Sequence, residues 1–318
     1  MAVNTDQVKT VAVIGGGTMG PGMAAVFASH GYDTRLAEIK PEVLEKARGT
    51  TEVVFKVLSG AGFLTNDQVE AGRSNLSFTQ DSQEALRGSQ FVIETIPEKI
   101  ELKQQFFGEA EGVLGDQAIL ASNTSGIPIS KIAQACRLPA RVIGMHWSNP
   151  PHIIPVIEII RGEQTSDETF QTTWELTERI GMIPSLVRRD VPGFVENRVL
   201  YAILREALHL VEAGVADPQD IDKIVQWGIG YKLAVIPPLQ LLDVAGLDIY
   251  HSVASYLNAD LSTDAGVSSA ITERVERGEL GIKTGRGLFE YQADQIPALA
   301  QRRMRLLLAA KRALMETT

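Results

Sequence analysis

Residues 10 to 20, Thr-Val-Ala-Val-Ile-Gly-Gly-Gly-Thr-Met-Gly, run from a β-branched apolar stretch straight into glycines at 15, 17 and 20. This is the start of a parallel α/β unit, and little else tolerates it. Gly15 permits a tight strand-to-helix turn, Gly17 lets backbone approach a pyrophosphate, and Gly20 lets the following helix pack on the strand, with Thr18 and Met19 between them. A helical stretch, Gly22 to His30, and a second strand, Asp33 to Ile39, complete the unit and deliver Glu38 near the second strand end. A carboxylate there accepts hydrogen bonds from adenosine ribose hydroxyls and repels a 2′-phosphate, which selects NAD over NADP; Arg35 and Lys40 nearby argue the other way.

Composition narrows the class. The 318 residues are 44% apolar, enough for two domains with cores of their own. A net charge of −9 with basic residues scattered along the chain speaks against nucleic acid or an acidic membrane surface. Cys136 is the lone cysteine, so neither disulfides nor a cysteine metal cluster holds the fold, and it reads as a small buried hydrophobe. The segment Met1 to Lys9 is polar, and no apolar stretch reaches the roughly 18 residues of a membrane span. The expectation is a cytoplasmic protein.

Short β-like runs at Val11–Ile14, Arg35–Ile39, Phe91–Thr95, Ala118–Ala121, Val142–Met145, Val156–Ile160 and Ser185–Val187 alternate with helical ones. The pattern predicts an α/β fold, a Rossmann-type, doubly wound, mainly parallel sheet, in residues 1–190. Val191-Pro192-Gly193 is a turn signal, and residues 191–318 read as an all-α second domain. Its first helix, Phe194 to Gly214, has apolar residues over a broad surface and is expected to be buried. In open α/β sheets ligands gather at the carboxyl ends of strands. Polar residues stand there: Glu94, Thr95 and Glu98; Ser122 to Ser125; His146 to Asn149.

A chain that binds NAD and oxidises a hydroxyl needs a base for the hydroxyl proton, and histidine is the usual one. Of five histidines, His30, His209 and His251 fall on helices, whereas His146 sits at a strand end and His152 in the loop beyond. Glu158, a lone charge inside the apolar strand Ile153 to Ile160, needs a partner, and a neighbouring strand could set it against the His146 ring. An outward-facing glutamate on a half-exposed strand is the alternative.

Ser122-Asn-Thr-Ser125, Gly144-Met-His-Trp-Ser-Asn-Pro150, Val156-Ile-Glu158, Val191-Pro-Gly-Phe-Val-Glu-Asn-Arg198 and Gly281-Ile-Lys-Thr-Gly-Arg-Gly287 follow one another in order. In these segments, from Lys9 to about Tyr291, the chain resembles the L-3-hydroxyacyl-CoA dehydrogenase family. The resemblance implies that His146 is the general acid/base, Glu158 its carboxylate partner, and Ser125 and Asn197 the groups beside the reacting oxygen, with Asn197 coming from the second domain. It assigns Glu98 and Lys103 to the cofactor ribose, Asn149 to the nicotinamide end and Lys283 to the inter-domain rim. No metal is implied, and a homodimer through the helical domain is.

Departures bear on the substrate. Family members acting on acyl-CoA carry several lysines in the excursion after the second strand, where residues 53–62 here offer Lys56 alone, a poor clamp for phosphates. Trp147-Ser148 stands where two phenylalanines are common, and residues 228–238 replace another acyl-CoA pattern. The run Trp147 to Pro155 is similar to the branch of the family that takes small CoA-free substrates. The expected substrate is therefore a small carboxylated hydroxy compound, with Trp147 in the pocket and His152, Arg198 and Lys232 as anchors. An acyl-CoA enzyme such as a 3-hydroxybutyryl-CoA dehydrogenase, and a non-catalytic NAD-binding protein like the lens crystallin relatives, are the alternatives. The C-terminal stretch Gln295 to Met315 reads as an amphipathic helix; a membrane-surface helix is the alternative, but the acidic net charge favours docking on the protein or a twofold mate.

Overall fold

A computed structural model describes residues 2–316. Its contacts divide the chain into two compact units, Met1–Asn197 and Arg198–Thr318.

The first unit is built on β1 (Thr10–Ile14), β2 (Asp33–Ala37), β3 (Leu76–Thr79), β4 (Phe91–Glu94), β5 (Ile119–Ser122), β6 (Val142–Trp147), β7 (Val156–Ile160) and β8 (Ile183–Val187). They form one sheet in the order β3-β2-β1-β4-β5-β6-β7-β8. Neighbours pair in parallel except β6 and β7, which run antiparallel. The order reverses between β1 and β4, so a crevice opens at their carboxyl ends. The helices are α1 (Gly20–Ser29), α2 (Pro41–Gly60), α3 (Asn66–Asn75), α4 (Ser82–Leu86), α5 (Ile100–Glu111), α6 (Ile129–Ala133) and α7 (Asp167–Arg179).

Both faces of the sheet are covered, which is why its strands read as continuous apolar runs. Strand alternation sends Val11, Val13, Ile93, Met145, Trp147 and Ile157 into one core with Met23 and Phe27 of α1 and Leu176 of α7. Ala12, Ile14, Val92, Leu120, Val142 and Ile160 enter the other, with Phe107 of α5, Ile129 of α6 and Phe194. The short strand β3 was not anticipated; its residues are mostly half-buried and its apolar content is small, so it carries little periodic signal.

The second unit comprises α8 (Glu196–Glu212), whose first residues belong to the first unit, then α9 (Pro218–Ile224), a π-helical turn over Val225–Gly230, α10 (Tyr231–Leu233), α11 (Pro238–Ala245), α12 (Leu247–Leu257), α13 (Ser269–Glu276) and α14 (Ile296–Met315). The expectation that the first of these is buried is corrected: α8 holds no buried residue, and Val199, Leu200 and Leu204 are all exposed. The division at Asn197 also falls later than the turn at 191–193, because Phe194, Glu196 and Asn197 are tied to the first unit by bonds described below.

Gly20 is fixed by space, since a Cβ there would lie 1.9 Å from the Gly15 carbonyl oxygen. Gly20→Ala is expected to destabilise the first unit by about 3 kcal/mol, the upper range for overpacking, and to weaken NAD binding; urea denaturation and NAD titration check both.

Candidate active site

The glycine loop joins β1 to α1 at the topological switch point. Gly15 has φ 113°, and a Cβ on it would meet the Thr95 carbonyl oxygen at 2.7 Å, so the loop lies flush against the end of β4. Gly17 is exposed, with nothing within 4 Å of where a Cβ would stand. The N-terminus of α1 has no side-chain cap, which leaves its N–H groups for an anion. Thr18 is exposed and Met19 half-buried beside them. Glu38 turns its carboxylate back onto the loop, accepting from the N–H groups of Gly16 at 2.9 Å and Lys40 at 3.0 Å. Arg35 is held elsewhere, on Asp33 and the Arg87 carbonyl. These residues fit a pyrophosphate on the helix and a ribose diol at Glu38, with Arg35 engaged away from a 2′-phosphate.

Beyond the crevice, the antiparallel pairing of β6 and β7 sets His146 directly opposite Glu158. The His146 Nδ1 lies 2.8 Å from Glu158 Oε2, both residues being buried. The other oxygen, Oε1, accepts from the N–H groups of Val195 at 2.9 Å and Glu196 at 3.1 Å. Burial pushes the Glu158 carboxyl up, but the His146 ring and these two N–H groups outweigh it and hold the carboxyl below its ordinary value. An ionised carboxylate only accepts, so Nδ1 carries the proton and Nε2 is left as an acceptor. Gly193 and Phe194, with φ of 78° and 50°, turn the chain so that those N–H groups reach Glu158. For a phenylalanine this backbone is strained. Its ring lies against His146, centroids 5.8 Å apart.

The loop after β5 supplies a third wall. Asn123 Oδ1 accepts the Trp147 N–H at 2.8 Å, tying the loop to β6. Glu98 accepts from Thr124 Oγ1 at 2.6 Å and the Ser125 N–H at 2.9 Å, and Asn197 Nδ2 donates to the Ser125 carbonyl at 2.8 Å. Ser125, Asn197, His146 and Glu158 thus come together within the first unit.

Two expectations are corrected. Lys103 does not present a free cation to a ribose: it is 1% exposed and its ammonium sits 2.6 Å from Glu94, with Glu98 at 3.3 Å. It braces the wall from behind. Trp147 does not line a substrate pocket, because it points to the α1 face of the sheet, opposite His146, and packs on Phe27. His152 is also buried and packs at Gly22 of α1. Asn149 is exposed just past β6, and Arg198, Lys232 and Lys283 are exposed in the second unit.

Sequence reasoning missed Glu196, and it named Ser148 without giving it a role. Ser148, two residues beyond His146, donates its hydroxyl to Glu196 Oε2. His146, Glu158 and Glu196 place donor atoms within 4.8 Å of one another. The spacing of 146 and 148 was the available signal, while Glu196 resembled any acid in a first helical turn. Cys136 offers no thiolate, since burial pushes it up to about 12. A cavity of about 710 Å³ in the second unit is lined by Arg277 and Arg286, which already face Glu279 and Glu290. Among the described residues no helix is long and apolar enough to cross a membrane.

Comparison with known proteins gives the family of the chain. The 3-hydroxyacyl-CoA dehydrogenase NAD binding domain model matches residues 10–191, and the C-terminal domain model of that family matches residues 193–291. The chain is 48% identical over 308 residues to 5-formyl-3-hydroxy-2-methylpyridine 4-carboxylate 5-dehydrogenase of Mesorhizobium japonicum, covering 97% of this chain and 99% of that one. A crystal structure of an enzyme of that name, described as an NAD+ dependent dismutase, superposes with a TM-score of 0.93 at 48% identity, over 97% of this chain and 99% of the other. A probable 3-hydroxybutyryl-CoA dehydrogenase of Deinococcus radiodurans is 38% identical over 280 residues, 88% of this chain and 99% of that one.

The depressed Glu158 makes part of the stability pH-dependent. Its contribution is present above the ordinary glutamate value of 4.5 and is lost as pH falls through the lower folded value. Glu158→Gln is expected to be clearly less stable than the parent near neutrality, and the gap to close in acid, where the parent's Glu158 is itself protonated. Urea denaturation of both across that range measures it.

Proposed function

Because this chain belongs to the 3-hydroxyacyl-CoA dehydrogenase family and is an NAD-dependent oxidoreductase, we propose that it oxidises a small carboxylated pyridine bearing a hydroxyl or formyl group, with His146 as acid/base. The observation that carries the chemistry is the buried His146–Glu158 pair at 2.8 Å. Nε2 of His146 takes the hydroxyl proton, and Glu158 keeps the ring in one tautomer and stabilises the imidazolium that results. Ser125 and Asn197, joined by their own hydrogen bond, hold the substrate oxygen. NAD, when bound on the glycine loop, supplies the nicotinamide that accepts hydride.

The substrate class rests on the likeness to the pyridine carboxylate dehydrogenase at nearly full length in both sequence and structure. Lys56 as the sole lysine of residues 53–62 works against a CoA nucleotide. The intact His146–Glu158 pair works against a non-catalytic, crystallin-like role. The same reading places the enzyme in the cytoplasm as a homodimer, a second copy covering exposed apolar residues of the helical unit such as Val199, Tyr201, Leu204 and Trp227.

Formation of NADH with formyl- and hydroxymethyl-pyridine carboxylates, set beside 3-hydroxybutyryl-CoA, tests the substrate. Turnover of the CoA-free compounds is expected, and turnover of the thioester alone overturns the reading. His146→Ala is expected to lower kcat by about a thousandfold with NAD affinity kept, within the usual span for a general base. Sedimentation equilibrium is expected to give twice the chain mass of 34.6 kDa.

A further inference from the structure

The second unit has helices but almost no interior. Among the described residues, Ile221 is the only apolar side chain of that unit that is buried, whereas the first unit holds extended cores on both faces of its sheet. Helices α8, α11, α12, α13 and α14 hold no buried residue. Three of them are short, with 8 residues in α11, 11 in α12 and 8 in α13. An isolated helix shorter than about 12 residues is marginal in water, and helices of that length persist because an apolar face is packed against something.

The faces that need packing are present and lie open. On α12, Tyr250, Val253 and Leu257 recur at the spacing of one helix face, and all three are exposed. The helical run from Pro218 to Leu233 repeats the pattern with Ile224, Trp227 and Tyr231, Trp227 being 68% exposed. Single exposed apolar residues are ordinary, but stripes of them on successive helices mark an interface, and Trp and Tyr are the side chains that anchor one. The charges identify what covers these faces. Helix α14 carries Arg302, Arg303, Arg305, Lys311 and Arg312 with no acid among its residues, whereas Asp217, Asp220 and Asp222 gather at the start of α9. Asp220 pairs with Lys223 of its own turn, and among the described residues Arg302, Arg303 and Arg305 form no ion pair within the chain. Both signs stand on one unit but on different elements, so a second copy related by a twofold axis is its complement, basic helix to acidic corner and the reverse.

We infer that the helical unit has no core of its own and gains one only from the same unit of a second copy of this chain, so that pairing of two chains and folding of the second unit are a single event. The inference rests on the homodimer proposed above and makes that dimer a condition of folding, where a looser dimer would join two finished chains. The interface is that of an obligate pair, extensive and apolar at its centre, like a domain core cut in half. Such a pair has no stable folded monomer, and its stability is inseparable from chain concentration. The first unit encloses its cores within one chain and carries no such dependence.

Sedimentation equilibrium and hydrogen exchange read by mass spectrometry test this on the full chain, for the parent and for the double variant Trp227→Glu with Tyr250→Glu. The parent is expected to sediment as a dimer, and the urea concentration at which α12 loses its protection is expected to rise by about 0.5 M for each tenfold increase in chain concentration. The variant is expected to sediment as a monomer in which the amides of α9, α11, α12 and α13 exchange about a hundredfold faster or more. Strands β1, β4 and β6 are expected to keep their protection, which distinguishes this result from a chain that has unfolded throughout. A dimeric parent with a monomeric variant whose helices stay protected shows that the helical unit folds alone; this inference is then overturned and the homodimer stands. A dimeric parent whose α12 midpoint ignores chain concentration, or a variant that stays dimeric and protected, overturns it in the same way. A parent that is monomeric, or that holds another protein in place of a second copy, removes the homodimer and this inference together and leaves the reading of the substrate untouched.

Discussion

One ionised carboxylate, buried in the middle of a sheet, sets the conditions for the rest of the active unit. Glu158 is 4% exposed on a strand whose other residues are apolar. A charge there persists only if its acceptor sites are filled. The His146 ring fills one side, and backbone N–H groups of Val195 and Glu196 fill the other. Those donors exist because Gly193 and Phe194 adopt left-handed backbone, so the strain in Phe194 is a local cost of orienting the base. The antiparallel reversal of β7 has a similar rationale: a reversed strand brings Glu158 into register with His146.

The sheet also separates two duties by face. Odd and even positions of β6 send Met145 and Trp147 toward α1 and the glycine loop, and His146 and Ser148 toward the start of α8. The cofactor helix therefore leans on a core of large apolar side chains. Polar residues collect on the opposite face, where Lys103, Glu94, Ser122 and Glu98 form a chain of hydrogen bonds and ion pairs running to Ser125. Buried networks of this kind hold geometry only when every member is satisfied. Here the ammonium of Lys103 is shared between Glu94, Glu98 and the Ile96 carbonyl.

Much of this was legible from residues alone, for reasons particular to each. The glycine loop was readable because Gly15 and Gly20 answer steric demands that no other residue meets, while Gly17 stands in open space. His146 and Glu158 were readable because a charge inside an apolar strand has few ways to survive. Trp147 faces away from His146, as strand alternation requires, so its place in the shared motif reflects packing against α1. Lys103 turns inward on the first turns of α5 to meet Glu94 at the end of β4, nine residues earlier, whereas a lysine on a helix reads by default as a solvated charge. Ser148 and Glu196 carry no assignable role in the sequence, since each alone is an ordinary strand-end serine or helix-start acid, and only their hydrogen bond beside His146 joins them. The burial expected of α8 failed because an apolar helix face reports that something must cover it without saying what.

The position of the acid's donors has a consequence for anyone recombining such enzymes. The two family domains meet at residues 191–193, which invites an exchange of helical domains at that turn. A graft made there would import a foreign Phe194, Val195, Glu196 and Asn197, and with them the N–H groups that keep Glu158 charged and the amide that steadies Ser125. The hydrogen bonds of the first unit end inside the first turn of α8, so a seam respecting them falls after Asn197. Domain shuffling in this fold would be governed by hydrogen-bond ownership, and a visible turn in the chain is a poor guide to it.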